Sequence, residues 1–228
     1  MNLLTEPLIQ TDQNVLSLPG LLAAMARGEV GSFPALRPHQ RPAFHMFLVQ
    51  LATLALSDAA AADLPEDEES WRVALRRLTA DFSDDAPWHL VVEDRGKPAF
   101  LQPPDPGGHK WNEVSTPDAL DMLITSRNHD LKREIAHEAT PQDWIFALVS
   151  LQTMEGFGGA GNYGIARMNG GSSSRVMLAL APATGAGRVV DPSAWWQRDV
   201  MHLSAGRGGL RGQALLWCRP WSEGHPLD

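Results

Sequence analysis

The chain has 228 residues, of which 43% are hydrophobic and 20% charged, and its net charge is −8. Length and composition fit an ordinary soluble globular protein with a proper core, in one large domain or two small ones. The single cysteine, Cys218, excludes an internal disulfide or a cysteine-rich zinc site. No apolar run approaches the ~18 residues of a membrane span and no signal peptide opens the chain, so a cytoplasmic location is expected. The acidic balance argues against a generic nucleic-acid binder, but it is uneven. Residues 1–150 carry 22 acids against 12 bases, whereas residues 151–228 carry 5 against 7. The bases are mostly arginine, which grips phosphate as a fork, so a local polyanion site late in the chain is allowed.

In chain order, Met1 to Gln10 reads as an N-terminal strand. Leu18 to Gly28 reads as a short helix with Ser17 as N-cap and Gly28 as its stop. A proline-punctuated stretch, residues 33–42, leads into a long helix with Phe44, Phe47, Leu48, Leu51, Leu54 and Ala55 on its buried face. Residues 57–69, ending Glu66-Asp67-Glu68-Glu69, read as a solvated loop rather than a metal cluster. A helix is expected over Ser70 to Asp81, then strands at 88–92 and 99–101, then a loop at 103–108. Thr116-Pro117 and Thr140-Pro141 both read as helix starts, with threonine as N-cap and proline at the first turn. Asp143 near the third position supports the second of these, which carries Trp144, Ile145, Leu148 and Leu151 to a stop at Gly156. Further strands are expected at 165–168, 175–181 and 214–218, with a helix over Pro192 to Leu203. The fold class expected is α+β: helices with short, mainly antiparallel strands in one globular domain over residues 1–228.

The segment Gly156-Phe157-Gly158-Gly159-Ala160-Gly161-Asn162-Tyr163-Gly164 stands out, with five glycines in nine residues. Glycine costs backbone entropy wherever it is not needed, so this density points to positive φ angles or to a backbone that approaches something closely. It is a poor phosphate loop. It lacks the lysine of a Walker motif, and it follows a helix and leads to a strand, the reverse of a dinucleotide fingerprint.

The eight histidines show no metal-ligand spacing. His39 and His45 flank a helix start as packing or capping residues. Asn128-His129-Asp130 reads as surface loop, because adjacent residues rarely converge on one reacting atom. Cys218 sits in an apolar run as a structural thiol. Trp195, Trp196, Trp217 and Trp221 read as core before they read as base-stacking platforms. No catalytic residue, cofactor or metal is expected from this chemistry.

Several blocks taken together resemble the N-terminal part of the CasA family, the large subunit of the type I-E CRISPR Cascade surveillance complex. They are Asn2-Leu3-Leu4-Thr5-Glu6-Pro7, Leu18-Pro19-Gly20-Leu21, Pro34-Ala35-Leu36-Arg37-Pro38-His39-Gln40, Thr125-Ser126-Arg127-Asn128-His129-Asp130, the glycines at 156–159, and the region from Gly212 to Trp221. Each is weak alone, but their order and separations cover nearly the whole chain. The resemblance implies a non-catalytic, DNA-binding antiviral subunit. It would read the protospacer-adjacent motif (PAM) of double-stranded target DNA from the minor groove, then recruit a nuclease-helicase effector. Its partners would be the other Cascade subunits and the guide RNA. The implied DNA-binding residues are Gly156, Phe157, Gly158, Gly159, Ala160, Gly161 and Asn162, with Gly159 at the position of the family's contacting glycine. The implied loop for docking on the guide-bearing subunit holds Arg127, Asn128, His129, Asp130 and Lys132. Two departures are visible: Leu8 stands where the family usually has tryptophan, and Ala160 interrupts the glycines. The family's lysine finger, glutamine wedge and C-terminal helical bundle would lie beyond Asp228, so a truncated or shortened relative is expected. Two other readings of the loop are a nucleotide-binding enzyme using Gly156–Gly164 and a purely structural scaffold subunit.

Overall fold

The computed structural model describes residues 1–57, 63–105, 107, 113–120, 138–153, 180–184, 189–205 and 215–220. Among these residues the architecture is α+β: five helices with two short antiparallel strand pairs. The strands β1 (Ile9–Gln10) and β2 (Val15–Leu16) pair with Ile9 opposite Leu16. Helix α1 (Leu18–Ala26) follows, then α2 (Arg41–Ala55), α3 (Glu68–Arg77) and α4 (Pro141–Thr153). The strands β3 (Ala183–Thr184) and β4 (Val189–Val190) form the second pair and lead into α5 (Pro192–Ala205).

Local chemistry sets the helix ends. Ser17 caps α1, its hydroxyl accepting from the Gly20 amide at 3.1 Å, a device that contributes about 1 kcal/mol. Gly28 stands past the end of α1 at φ +75°, a conformation that glycine adopts without steric cost. At the start of α4 the Asp143 carboxylate accepts from both the Thr140 amide (2.8 Å) and the Thr140 hydroxyl (2.7 Å). This closes the first turn and places negative charge at the positive end of the helix dipole.

Helix α2 is the central post, packing against α3, α4 and α5, while α1 packs against α3 and α5. Its expected stripe is buried at Phe44, Phe47, Leu48, Leu51 and Ala55, with Leu54 only partly covered. Aromatic side chains tie the other elements to it. Phe44 meets Phe33 and Phe146 edge-on, at 5.3 and 4.9 Å between centroids. Phe47 meets Phe100, and Phe100 meets Trp217, which stands edge-on to Trp88 at 6.1 Å. Edge-to-face pairs of this kind add to simple area burial.

Several expected elements differ. The N-terminal strand shrinks to β1, because Asn2 folds the preceding residues into a turn: its carbonyl accepts from the Thr5 and Glu6 amides, and its side chain from Leu4. Asn2 makes a single antiparallel bridge to His89 instead. The segments expected as strands at 88–92 and 99–101 are a 3-10 turn at Ala86–Trp88 and a tight turn bridged between Ala99 and Gln102. Their apolar residues serve burial of Trp88 and Phe100 rather than strand pairing. The expected final strand is a 3-10 turn at Leu216–Cys218 that inserts Trp217 into the core. Thr116 opens only a 3-10 turn, Pro117–Ala119, and makes no side-chain cap. The acidic run is not simply a loop. Asp67 caps α3, Glu68 and Glu69 fill its first turn, and Glu68 accepts from the Ser17 hydroxyl at 2.8 Å and pairs with Arg72. Acids belong at that end of a helix, which is why the helix starts two residues early. The strand expected at 165–168 lies outside the described residues, as do residues 175–179 of the strand expected at 175–181, whose last two residues, Leu180 and Ala181, are not in a strand.

Candidate functional site

The residues expected to contact DNA, Gly156 to Asn162, and those of the docking loop, Arg127, Asn128, His129, Asp130 and Lys132, lie outside the described residues. The described structure shows what flanks them.

On the N-terminal side of the glycine segment, α4 ends in an unusually polar buried turn: Ser150, Gln152 and Thr153 are all buried. Thr153 donates its hydroxyl to the Val149 carbonyl one turn back, at 2.6 Å. Gln152 reaches across to another element, Nε2 donating to the Leu101 carbonyl at 2.8 Å. Leu101 has φ +57°, a left-handed conformation uncommon for a bulky residue. It sits in a two-residue turn closed by reciprocal Ala99–Gln102 backbone bonds, each of 2.9 Å. Gln102 anchors that turn, its Nε2 donating to the Leu90 carbonyl at 3.0 Å.

On the C-terminal side, the Leu180 carbonyl accepts from Arg198 at 2.7 Å, which ties the chain at Leu180 to α5. The same arginine donates to Asp199 Oδ1 at 2.7 Å, and Asp199 Oδ2 lies 2.8 Å from His45 Nε2 on α2. The His45 ring stacks on Trp195 with 3.7 Å between centroids. Of the two roles expected for His45, packing or capping, the structure shows packing. Burial pushes the His45 pKa below the ordinary histidine range, and the hydrogen bond and charge of Asp199 oppose this only in part. Burial pushes Asp199 up, but its bonds to Arg198 and His45 outweigh that and hold it below the usual carboxylate range.

Both shifts make the fold acid-sensitive. A depressed histidine pKa means that the unfolded chain takes up the proton first, so stability is fully present above about pH 6.5 and declines as pH falls below it. Asp199 adds a loss below the ordinary aspartate range. We expect the urea midpoint to fall between pH 7 and pH 5, and to fall less in His45→Gln, which has a donor but no titration. Equal slopes in the two proteins would remove His45 as the cause.

Elsewhere among the described residues, Arg37 donates to the buried Asp118 carboxylate at 2.6 Å. The pair lies beside a polar cavity of about 210 Å³ that Gln40, Glu138 and Asp143 also line. Arg37 belongs to one of the blocks that carry the family resemblance, and here it holds two elements together. Burial pushes the Cys218 thiol up to about 12, with Asp81 adding to the effect, so it behaves as a small apolar group, as expected. Among the described residues no group of histidine, cysteine, aspartate and glutamate is placed to hold a metal ion. Nor is any helix there long and apolar enough to cross a membrane.

Sequence reading missed the pairs Arg37–Asp118, Gln152–Leu101 and His45–Asp199. Each joins residues more than 45 positions apart, and no local pattern signals them. Comparison with family models, curated proteins and solved structures finds no match to this chain.

Proposed function

We propose that this chain is a DNA-reading subunit of a type I-E CRISPR ribonucleoprotein of the CasA type. In this reading it probes the protospacer-adjacent motif from the minor groove and helps recruit a nuclease-helicase effector in the cytoplasm, without catalysing a reaction itself. The observation that carries the reading is the order and spacing of the sequence blocks, the glycines at 156–159 among them. The chemistry is consistent. The minor groove presents a degenerate pattern of donors and acceptors, so recognition there depends on width and close approach. A backbone without side chains suits that task. The net charge of −8 does not oppose it, because in such complexes guide pairing and partner subunits supply much of the affinity.

Two of the matching blocks have structural roles in the described fold. Leu18-Pro19-Gly20-Leu21 is the capped start of α1, and Pro34 to Gln40 is the entry to α2. The test is what co-purifies with the tagged chain from cells that carry its neighbouring genes. Guide RNA and further Cascade subunits at fixed stoichiometry are expected. A chain that purifies without RNA or partners, and is stabilised by a nucleotide, would replace this reading with the enzyme alternative.

A further inference from the structure

Helix α5 is held to the body differently from the other long helices. Three of its fourteen side chains are buried, Ser193, Trp196 and Val200, against nine of fifteen in α2 and nine of thirteen in α4. Residues 201–205 are all exposed, so its last turn stands clear of the core. Polar bonds supply much of the attachment. The Ser193 hydroxyl donates to the Val30 carbonyl at 2.9 Å and accepts from the Val30 amide at 3.1 Å. Gln197 Nε2 donates to the carbonyls of Met25 and Ala26, at 2.7 and 3.0 Å. The indole N–H groups of Trp195 and Trp196 are buried without a partner among the described residues, which offsets part of what their rings contribute. A helix with little buried apolar surface, held by bonds that water can replace, opens at a lower free energy than the whole fold.

Of the ties to α5, the one from His45 titrates near neutral pH. The imidazole lies 17° from the plane of Trp195 and bonds Asp199, so two contacts to α5 pass through one ring that is 13% exposed. The charged groups that act on it are Asp199 and Arg198, both on α5; among the described residues, α1, α3 and α4 set none against it. Arg41, one turn earlier on α2, and His202, one turn beyond Arg198, are exposed. With α5 docked the ring is shielded from water. With α5 lifted away it is hydrated and takes up a proton near its ordinary pKa of 6.5. Docking is therefore strongest above that range and weakens as pH falls through it.

We propose that α5 is a strap that opens as a unit while α1 to α4 stay folded, with His45 as its proton-sensitive catch. The test is native-state hydrogen exchange on the full chain at low urea concentrations, corrected for the pH dependence of exchange itself. At pH 7 the α5 amides are expected to exchange through an opening of lower free energy and weaker urea dependence than the amides of α2 and α4. Between pH 7 and pH 5.5, above the aspartate range, that opening becomes more frequent, by at most about eightfold. His45→Gln, which keeps a donor, should remove the rise, and Asp199→Asn, which keeps the histidine, should retain it. Amides of α5 that share the free energy and urea dependence of α2 would mean one cooperative unit and overturn the proposal. A rise that persists in His45→Gln, or vanishes in Asp199→Asn, would remove His45 as the catch.

Discussion

Trp88→Ala is expected to lower the free energy of unfolding by about 3–5 kcal/mol, enough to leave a domain of this kind marginal at 25 °C. The Trp88 side chain is fully buried, edge-on to Trp217, and its indole N–H donates to the Thr79 hydroxyl at 2.8 Å. Truncation removes the largest class of side chain from the core, leaves a cavity between the 3-10 turns at 86–88 and 216–218, and strips a buried hydroxyl of its donor. Trp217 loses support as well, although its own N–H still reaches the Pro87 carbonyl at 3.1 Å. Trp88→Phe retains most of the ring contact and loses only the hydrogen bond and some volume, for a cost of about 1–3 kcal/mol. Denaturant titration of the two variants separates these contributions. Equal losses would place the stabilisation in the hydrogen bond rather than in the packing.

The parts of the fold that were legible in the sequence are those set by near neighbours. Ser17, Gly28 and the Thr140–Asp143 pair act within one helical turn, and the stripe from Phe44 to Ala55 repeats at helical period. The N-cap at Asp67 was equally local but was obscured by its acidic surroundings, whose charge favours the helix start instead of dissolving it. The segments 88–92, 99–101 and 214–218 misread as strands for a different reason. Their apolar and aromatic content signals burial, and burial around Trp88, Phe100 and Trp217 is satisfied by turns as readily as by a sheet. The polar ties, Gln152 to Leu101 and His45 to Asp199, depend on how whole helices pack, which no window of sequence contains. For the candidate site, glycine density marks where close backbone approach is possible, but glycine carries no side-chain chemistry from which a ligand follows.

The largest functional effect is expected from Gly159→Asp. If the proposed reading holds, a side chain at residue 159 would hold the backbone away from the groove floor, and a carboxylate would add repulsion against the negative potential of a narrow minor groove. Loss of close approach should abolish motif preference while leaving the nonspecific, salt-dependent phosphate attraction of the complex largely intact. Gly159→Ala, which adds only a methyl group, should show a partial loss of preference, and neither change should alter the fold around α2.

The deciding measurement is equilibrium binding of motif-bearing and motif-less duplexes to the guide-loaded complex carrying Gly159→Asp, beside the parent at one salt concentration. If the glycine segment reads the motif, the parent prefers the motif and the variant binds both duplexes alike, at the parent's nonspecific level. A variant that keeps the parent's preference would contradict that reading.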